Sequence, residues 1–144
     1  MIRTAEVKDI RLIEEFLLEA GLNKDGVREH ITDFLLAEAE EGKIAAVIGY
    51  ESFGKAGLLR SLAFSPAFHP RNLPALLEQV CILAKGKGLA ALYLGTSSGS
   101  SVPLFQALGF EKILIEQAKK ELSAFNHGKY LMGITSCEFF QKRL

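Results

Sequence analysis

Three strand-like runs, Leu35–Glu40, Lys43–Ser52 and Gly57–Phe64, follow one another with only Glu41-Gly42 and Phe53-Gly54-Lys55 as connections. Strands joined so tightly have no room for a crossover, so this stretch can only fold back on itself as an antiparallel meander. The next segment rules out an all-β chain. Leu76, Leu77, Val80, Cys81 and Ala84 recur on one helical face, and Gly86 closes the helix. Leu89–Leu94 is then nearly all apolar, the mark of a short strand covered on both faces. A helix between two strands predicts a right-handed crossover, with Gly57–Phe64 parallel to Leu89–Leu94.

The remaining elements fall around this frame. Met1-Ile2-Arg3 opens as a strand. Asp9 can cap a helix whose Ile10, Ile13, Leu17 and Ala20 share one face and whose end is Gly21. A second helix is predicted after Asp25, with Val27, Ile31, Phe34 and Leu35 inward, although Phe34–Glu40 fits helix and strand alike. After the Ser/Gly loop Gly95–Ser101 comes a short helix with Pro103 in its first turn, stopped by Gly109. Phe110–Glu116 and Lys129–Thr135 read as the last two strands, while Gln117–His127 is polar and its structure is left open. The order β-α-α-β-β-β-α-β-α-β-β describes an α/β (α+β) chain with a mixed sheet and helices on both faces.

At 144 residues the chain is expected to form a single domain, 1–144, large enough to bury roughly 68–70% of its unfolded surface without a disulfide or metal staple. Seventeen basic and 17 acidic side chains cancel, which argues against a nucleic-acid partner. Cys81 and Cys137 lie in apolar segments and read as buried free thiols. His30, His69 and His127 are isolated from one another and from both cysteines, so no metal-ligand spacing exists. The start is not expected to act as a signal peptide, and no apolar run approaches the ~20 residues of a membrane span. The expectation is a cytoplasmic protein with no membrane partner. Gly86-Lys87-Gly88-Leu89-Ala90-Ala91 imitates a dinucleotide-binding string but lies after a helix and before a strand, the reverse of what phosphate binding needs.

Three stretches resemble the GNAT acetyltransferases. Leu59-Arg60-Ser61-Leu62-Ala63-Phe64-Ser65-Pro66 is similar to the family's fourth strand, Leu92-Tyr93-Leu94-Gly95-Thr96 to its fifth, and Leu104-Phe105-Gln106-Ala107-Leu108-Gly109-Phe110 to its short helix and Leu-Gly-Phe ending. Ala20-Gly21-Leu22, His30, Phe34-Leu35-Leu36-Ala37-Glu38 and Leu58–Leu62 also resemble the small arsenic-resistance and amino-acid N-acetyltransferases. The resemblance implies a GNAT fold: a mostly antiparallel mixed sheet whose central strands splay into a notch. It implies acetyl-CoA as cosubstrate, with pantetheine pairing like an added strand with the backbone of Leu62, Ala63 and Phe64. Diphosphate would then lie at the start of the following helix. A small-molecule amine is the implied partner, and a homodimer is an allowed assembly.

The phosphate turn departs from the family's Arg/Gln-x-x-Gly-x-Gly/Ala. Here it reads His69-Pro70-Arg71-Asn72-Leu73-Pro74, with no glycine and two prolines that lack an N–H. The donors left are the amides of Arg71, Asn72, Leu73 and Ala75, with the side chains of Arg71 and His69. Losing two hydrogen bonds to a charged group costs roughly 3–6 kcal/mol, on the order of two to four decades in affinity. Arg71 can restore part of this through charge-assisted contact.

Acetyl transfer needs a neutral amine, a polarised thioester and protonation of the departing thiolate. The family's tyrosine for that last step is matched by Phe105, which has no proton to donate and is expected to pack under the sheet. Glu51, at the end of the third predicted strand, is the candidate base; an exposed carboxylate is the plainer reading. Arg60, a guanidinium in an apolar strand, can clamp a substrate carboxylate or pair with a neighbouring acid. Ser97, Ser98 and Ser100 can water-link an amine or thiol, or simply form a surface loop. A GNAT-shaped domain without catalysis, or one using another acyl donor, remains open at this point.

Overall fold

The computed structural model describes all 144 residues. Seven strands, β1 (Ile2–Thr4), β2 (Phe34–Glu38), β3 (Ile44–Phe53), β4 (Ala56–Phe64), β5 (Ala91–Thr96), β6 (Glu111–Ile113) and β7 (Glu138–Arg143), are ordered β1-β2-β3-β4-β5-β7-β6. Five α-helices accompany them: α1 (Ile10–Glu19), α2 (Leu73–Gly86), α3 (Val102–Ala107), α4 (Ile115–Leu122) and α5 (Asn126–Met132). The β4–β5 pair is parallel, as the helical crossover between them requires, and β1–β2, β2–β3, β5–β7 and β6–β7 are antiparallel. This is the expected mixed, mostly antiparallel α/β architecture.

The chain divides into two compact units, Met1–Tyr50 with Arg60–Leu83, and Glu51–Leu59 with Ala84–Leu144. In the first, Ile10, Ile13 and Leu17 of α1 are buried with Val27, Ile31, Phe34, Leu36 and Val47, which is why α1 has its apolar residues at helical spacing. Gly49 is required there, since a Cβ would meet the Phe34 ring at 2.5 Å. Arg3 donates two hydrogen bonds of 2.8 Å to the Asp9 carboxylate and one to Glu38. Asp9 also accepts from the Glu6 amide, closing a capping box before α1.

In the second unit Leu58, Tyr93, Ala118, Leu122, Phe125, Leu131 and Phe139 form the core. The β4–β5 ladder runs Ala56↔Ala91, Gly57↔Leu92 and Leu58↔Tyr93 and ends there. Leu94, Gly95 and Thr96 pair with Phe140, Phe139 and Glu138 of β7. Phe105 is buried against the rings of Phe110 and Phe140, at 6.2 and 6.5 Å between centroids, in the packing role expected of it.

Three expectations are corrected. Asp25–His30 forms turns and only Ile31–Asp33 is helical, as a single 3-10 turn, because Gly26 takes φ 85° and breaks the helix that the spacing suggested. Lys129–Thr135 is not a strand: α5 occupies Asn126–Met132, and the last strand is Glu138–Arg143. The strand predicted over Phe110–Glu116 ends at Ile113, and α4 begins at Ile115.

Candidate functional site

The first unit contains the segment expected to hold the cosubstrate. In β4, Ser61 has φ 59°, left-handed backbone that interrupts the pleat at the residue after Arg60. Beyond it Leu62 is half-buried, Ala63 buried and Phe64 exposed, its ring tilted against Phe68 at 5.9 Å. Ser65 leaves the strand with its amide bonded to the Ala45 carbonyl at 2.8 Å.

The turn into α2 is held by its own residues. His69 Nδ1 accepts from the Arg71 amide at 3.1 Å, the Asn72 amide donates to the His69 carbonyl at 2.9 Å, and the Leu73 amide donates to the Pro70 carbonyl. Pro70–Asn72 is thereby a 3-10 turn that leads directly into the helix. Of the expected donors, the amides of Arg71, Asn72 and Leu73 are engaged, while the side chains of His69, Arg71 and Asn72 and residue Ala75 are exposed. A cavity of about 470 Å³ opens beside the turn, lined by Asn72, Ala75 and Gln79 along α2 and by Met1, Ile2 and Glu38.

Arg60 is 9% exposed. Its Nε donates to Ser61 Oγ at 3.2 Å and its Nη2 to Asn23 Oδ1 at 3.4 Å. Gly26 makes room for the guanidinium: a Cβ at that position would lie 3.0 Å from Nη1 and 3.6 Å from His30 Cδ2. The Asn23–His30 turns therefore pack on Arg60. Sequence reasoning singled out Arg60 and missed Asn23 and Gly26; the asparagine-to-glycine spacing in a polar stretch was the signal available.

In the second unit Glu51 is buried at 6% exposure, and its Oε1 accepts a 2.9 Å hydrogen bond from the His127 amide in the first turn of α5. The plain reading of Glu51 as an exposed carboxylate is thus overturned. The His127 ring stacks on Tyr130, 5.8 Å between centroids at 21°. Leu131 and Cys137 crowd Gly95, where a Cβ would lie 2.9 Å from Leu131 Cδ1 and from Cys137 Sγ. Burial pushes the Cys137 thiol up, and Glu138 adds to this. Ser97 and Ser98 are exposed: the Ser98 amide donates to Thr96 Oγ1 at 3.1 Å, and the Ser98 hydroxyl joins those of Ser100 and Ser101 at 3.0 and 3.3 Å. The sequence names His127 without assigning it a role and misses α5, because the carboxylate that holds them lies 76 residues away.

No protein-family model matches the chain. It is similar to the uncharacterized protein YwlB of Bacillus subtilis, 33% identical over 127 residues that make up 88% of this chain and 85% of that protein. Among solved structures it is similar to Rv2747 from Mycobacterium tuberculosis in complex with CoA, with a TM-score of 0.76 at 16% identity over 100% of this chain and 99% of that one. N-acetylglutamate synthase from Neisseria gonorrhoeae, complexed with coenzyme A and N-acetyl-glutamate, gives 0.76 at 22% identity over 100% of this chain but 35% of that chain. An acetyltransferase of the GNAT family from Staphylococcus aureus gives 0.74 at 17% identity, covering 100% and 98%. At these identities the structural likeness is one of fold.

Proposed function

Because the chain has the GNAT fold and belongs to the family of Bacillus subtilis YwlB, we propose that it is an N-acetyltransferase, moving acetyl from acetyl-CoA to the primary amine of a small, amino-acid-like substrate. Pantetheine runs along Leu62, Ala63 and Phe64 as an added strand, just past the left-handed break at Ser61. Diphosphate settles at the α2 turn against the Arg71 side chain and the amides of Arg71, Asn72, Leu73 and Ala75, with the His69 ring turned aside. The observation that carries this reading is the strand–turn–helix unit itself, in which β4 breaks at Ser61, leaves Phe64 exposed and leads through the 3-10 turn Pro70–Asn72 into α2; the cavity of about 470 Å³ beside Asn72 and Ala75 takes no lining residue from β4.

The engaged amides are an obstacle of calculable size. A charge-assisted hydrogen bond to phosphate is roughly twice as strong as the neutral bond that the Arg71 amide makes to His69 Nδ1. For the Arg71 amide, exchange toward phosphate is therefore favourable once the His69 ring turns aside, whereas the Asn72 and Leu73 amides would have to leave the His69 and Pro70 carbonyls. Arg60, oriented by Asn23 and Ser61, receives the substrate carboxylate. Glu51 serves the basic step, and Ser97 and Ser98 supply hydroxyls to a water that links to the amine or thiol. Attack of the neutral amine on the thioester carbonyl forms the C–N bond and breaks the C–S bond, and the thiolate leaves.

A thermal-shift series with acetyl-CoA and CoA tests the reading. Ligand at 100 times its dissociation constant stabilises by about 2.7 kcal/mol. No shift at millimolar acetyl-CoA would sink it and favour the second reading, a GNAT-shaped binding module without catalysis, toward which the glycine-free turn with its engaged amides points. If Arg60 is the clamp, Arg60→Ala raises KM for carboxylate-bearing amines selectively; an equal rise for amines without a carboxylate removes that assignment.

A further inference from the structure

We infer that His69 is a pH-sensitive latch on the cosubstrate turn, closed while its imidazole is neutral and opened by protonation, an inference that rests on the acetyl-CoA reading of that turn. Every group involved belongs to the first compact unit. His69 Nδ1 accepts from the Arg71 amide at 3.1 Å. That contact has a definite protonation state. Nδ1 accepts only in the neutral ring whose proton is on Nε2, whereas an imidazolium carries N–H on both nitrogens and can accept at neither. The backbone keeps the ring at its post. Pro70 confines the residue before it to extended conformation, and His69, at φ −74° and ψ 131°, has the geometry of a helix N-cap. On the other side Phe68 is buried, with its amide bonded to the Ser65 carbonyl at 3.0 Å. The imidazole itself is exposed, so it can swing while the chain stays in place.

The charged groups around the turn leave this contact to the histidine. Arg71, in the same turn, is exposed. Glu38 of β2 lines the cavity beside the turn and is held by Arg3. Histidine is the side chain whose charge changes between about pH 5 and 8, so the acceptor at Nδ1 comes and goes within the range in which the protein can be handled. Protonation takes the acceptor from the Arg71 N–H and adds a positive charge at the start of the turn. A diphosphate oxygen then accepts that N–H in a charge-assisted bond. Proton and diphosphate favour the same open turn, so each strengthens the binding of the other by the same factor. One neutral hydrogen bond corresponds to about two- to tenfold in the population of the open turn, and that sets the size of the effect.

The test uses the full chain and dephospho-CoA, which keeps the diphosphate but lacks the 3′-phosphate that would itself titrate near about pH 6. Calorimetric titrations run from about pH 8 to about pH 5.5. Wild type should bind about two- to tenfold more tightly at the acid end. Between the two ends it should take up a fraction of a proton with each ligand, seen as heats that differ between buffers of different ionisation enthalpy. His69→Asn keeps a capping oxygen that does not titrate, and should bind at the weak alkaline level throughout. His69→Ala removes the acceptor and should bind at the tight acid level throughout, with no proton uptake. Should the alanine variant fail to fold, His69→Gly is read in its place, since glycine is tolerated at an N-cap. Wild-type affinity that is flat, or that weakens toward acid, overturns the inference. So does a pH dependence and proton uptake that persist in His69→Ala, which would assign the titration to another group. No heat with dephospho-CoA or acetyl-CoA at millimolar concentration, in wild type and in His69→Ala alike, instead removes the acetyl-CoA reading and the latch with it.

Discussion

The starts of α2 and α5 solve one problem in opposite ways. Each helix begins with backbone N–H groups that need acceptors. At α2 the acceptors are neighbours: His69 supplies its ring nitrogen and its carbonyl, and Pro70 supplies another carbonyl. At α5 an acceptor comes from Glu51, 76 residues earlier at the end of β3. A local cap can be made or broken by a ligand without disturbing the fold. A remote cap binds two distant parts of the chain, so what it holds is rigid. The turn at α2 is accordingly suited to binding, and the turn at α5 to positioning.

The largest effect should come from the remote cap. Glu51→Ala leaves the His127 amide without this acceptor and is expected to cost about 1.5–3 kcal/mol in chemical denaturation, with Glu51→Gln recovering most of it. Equal losses in the two variants would mean that charge, and not capping, is what Glu51 contributes. The start of α1 gives an intermediate case. There Asp9 is held by the nearby Arg3 and Glu6, and hydrogen bonds from Arg3 keep its carboxyl below the ordinary 3.8, against the opposing effect of burial. A carboxyl depressed in the folded state adds stability above its unfolded value, and that stability fades as pH falls through the folded value. Wild type should therefore lose this contribution below about pH 4, and Asp9→Asn should flatten that limb at a cost of about 1–2 kcal/mol at neutral pH, discounted because Arg3 is partly exposed. A steeper acid limb in Asp9→Asn would contradict the assignment. The smallest effect belongs to α2. His69→Ala should cost about 0.5–1 kcal/mol of stability and, by releasing the Arg71 amide, tighten CoA binding several-fold by calorimetry. Weaker CoA binding in this variant would show that His69 itself touches the ligand.

Legibility followed the same division between near and far. The faces of α1 and α2 were readable because burial repeats along them: Ile10, Ile13 and Leu17, then Leu76, Leu77, Val80, Cys81 and Ala84, are all buried. The β2–β3–β4 succession was readable because its turns are short. Tyr130-Leu131-Met132 suggested a strand, yet it sits in a helix whose first turn is held by a carboxylate from another element. Glu138–Arg143 carried too little alternation to be recognised, and its pairing with β5 is what makes it a strand. In the candidate site, Arg60 was conspicuous as a charge among apolar neighbours. Its companions Asn23 and Gly26 were not, since their meaning depends on a turn that packs on β4.

By itself the sequence determined the periodic elements, the parallel crossover and the glycine-free turn before α2, because each depends on residues within a few positions of one another. Only the tertiary structure decided that Glu51 is buried and bonded to α5, that the last strand lies between β5 and β6, and that Arg60 is cradled by Asn23 and Gly26. These arrangements rest on hydrogen bonds and close approaches between residues far apart in the chain. Such contacts leave no period behind, because they form only once the backbone has brought the partners together.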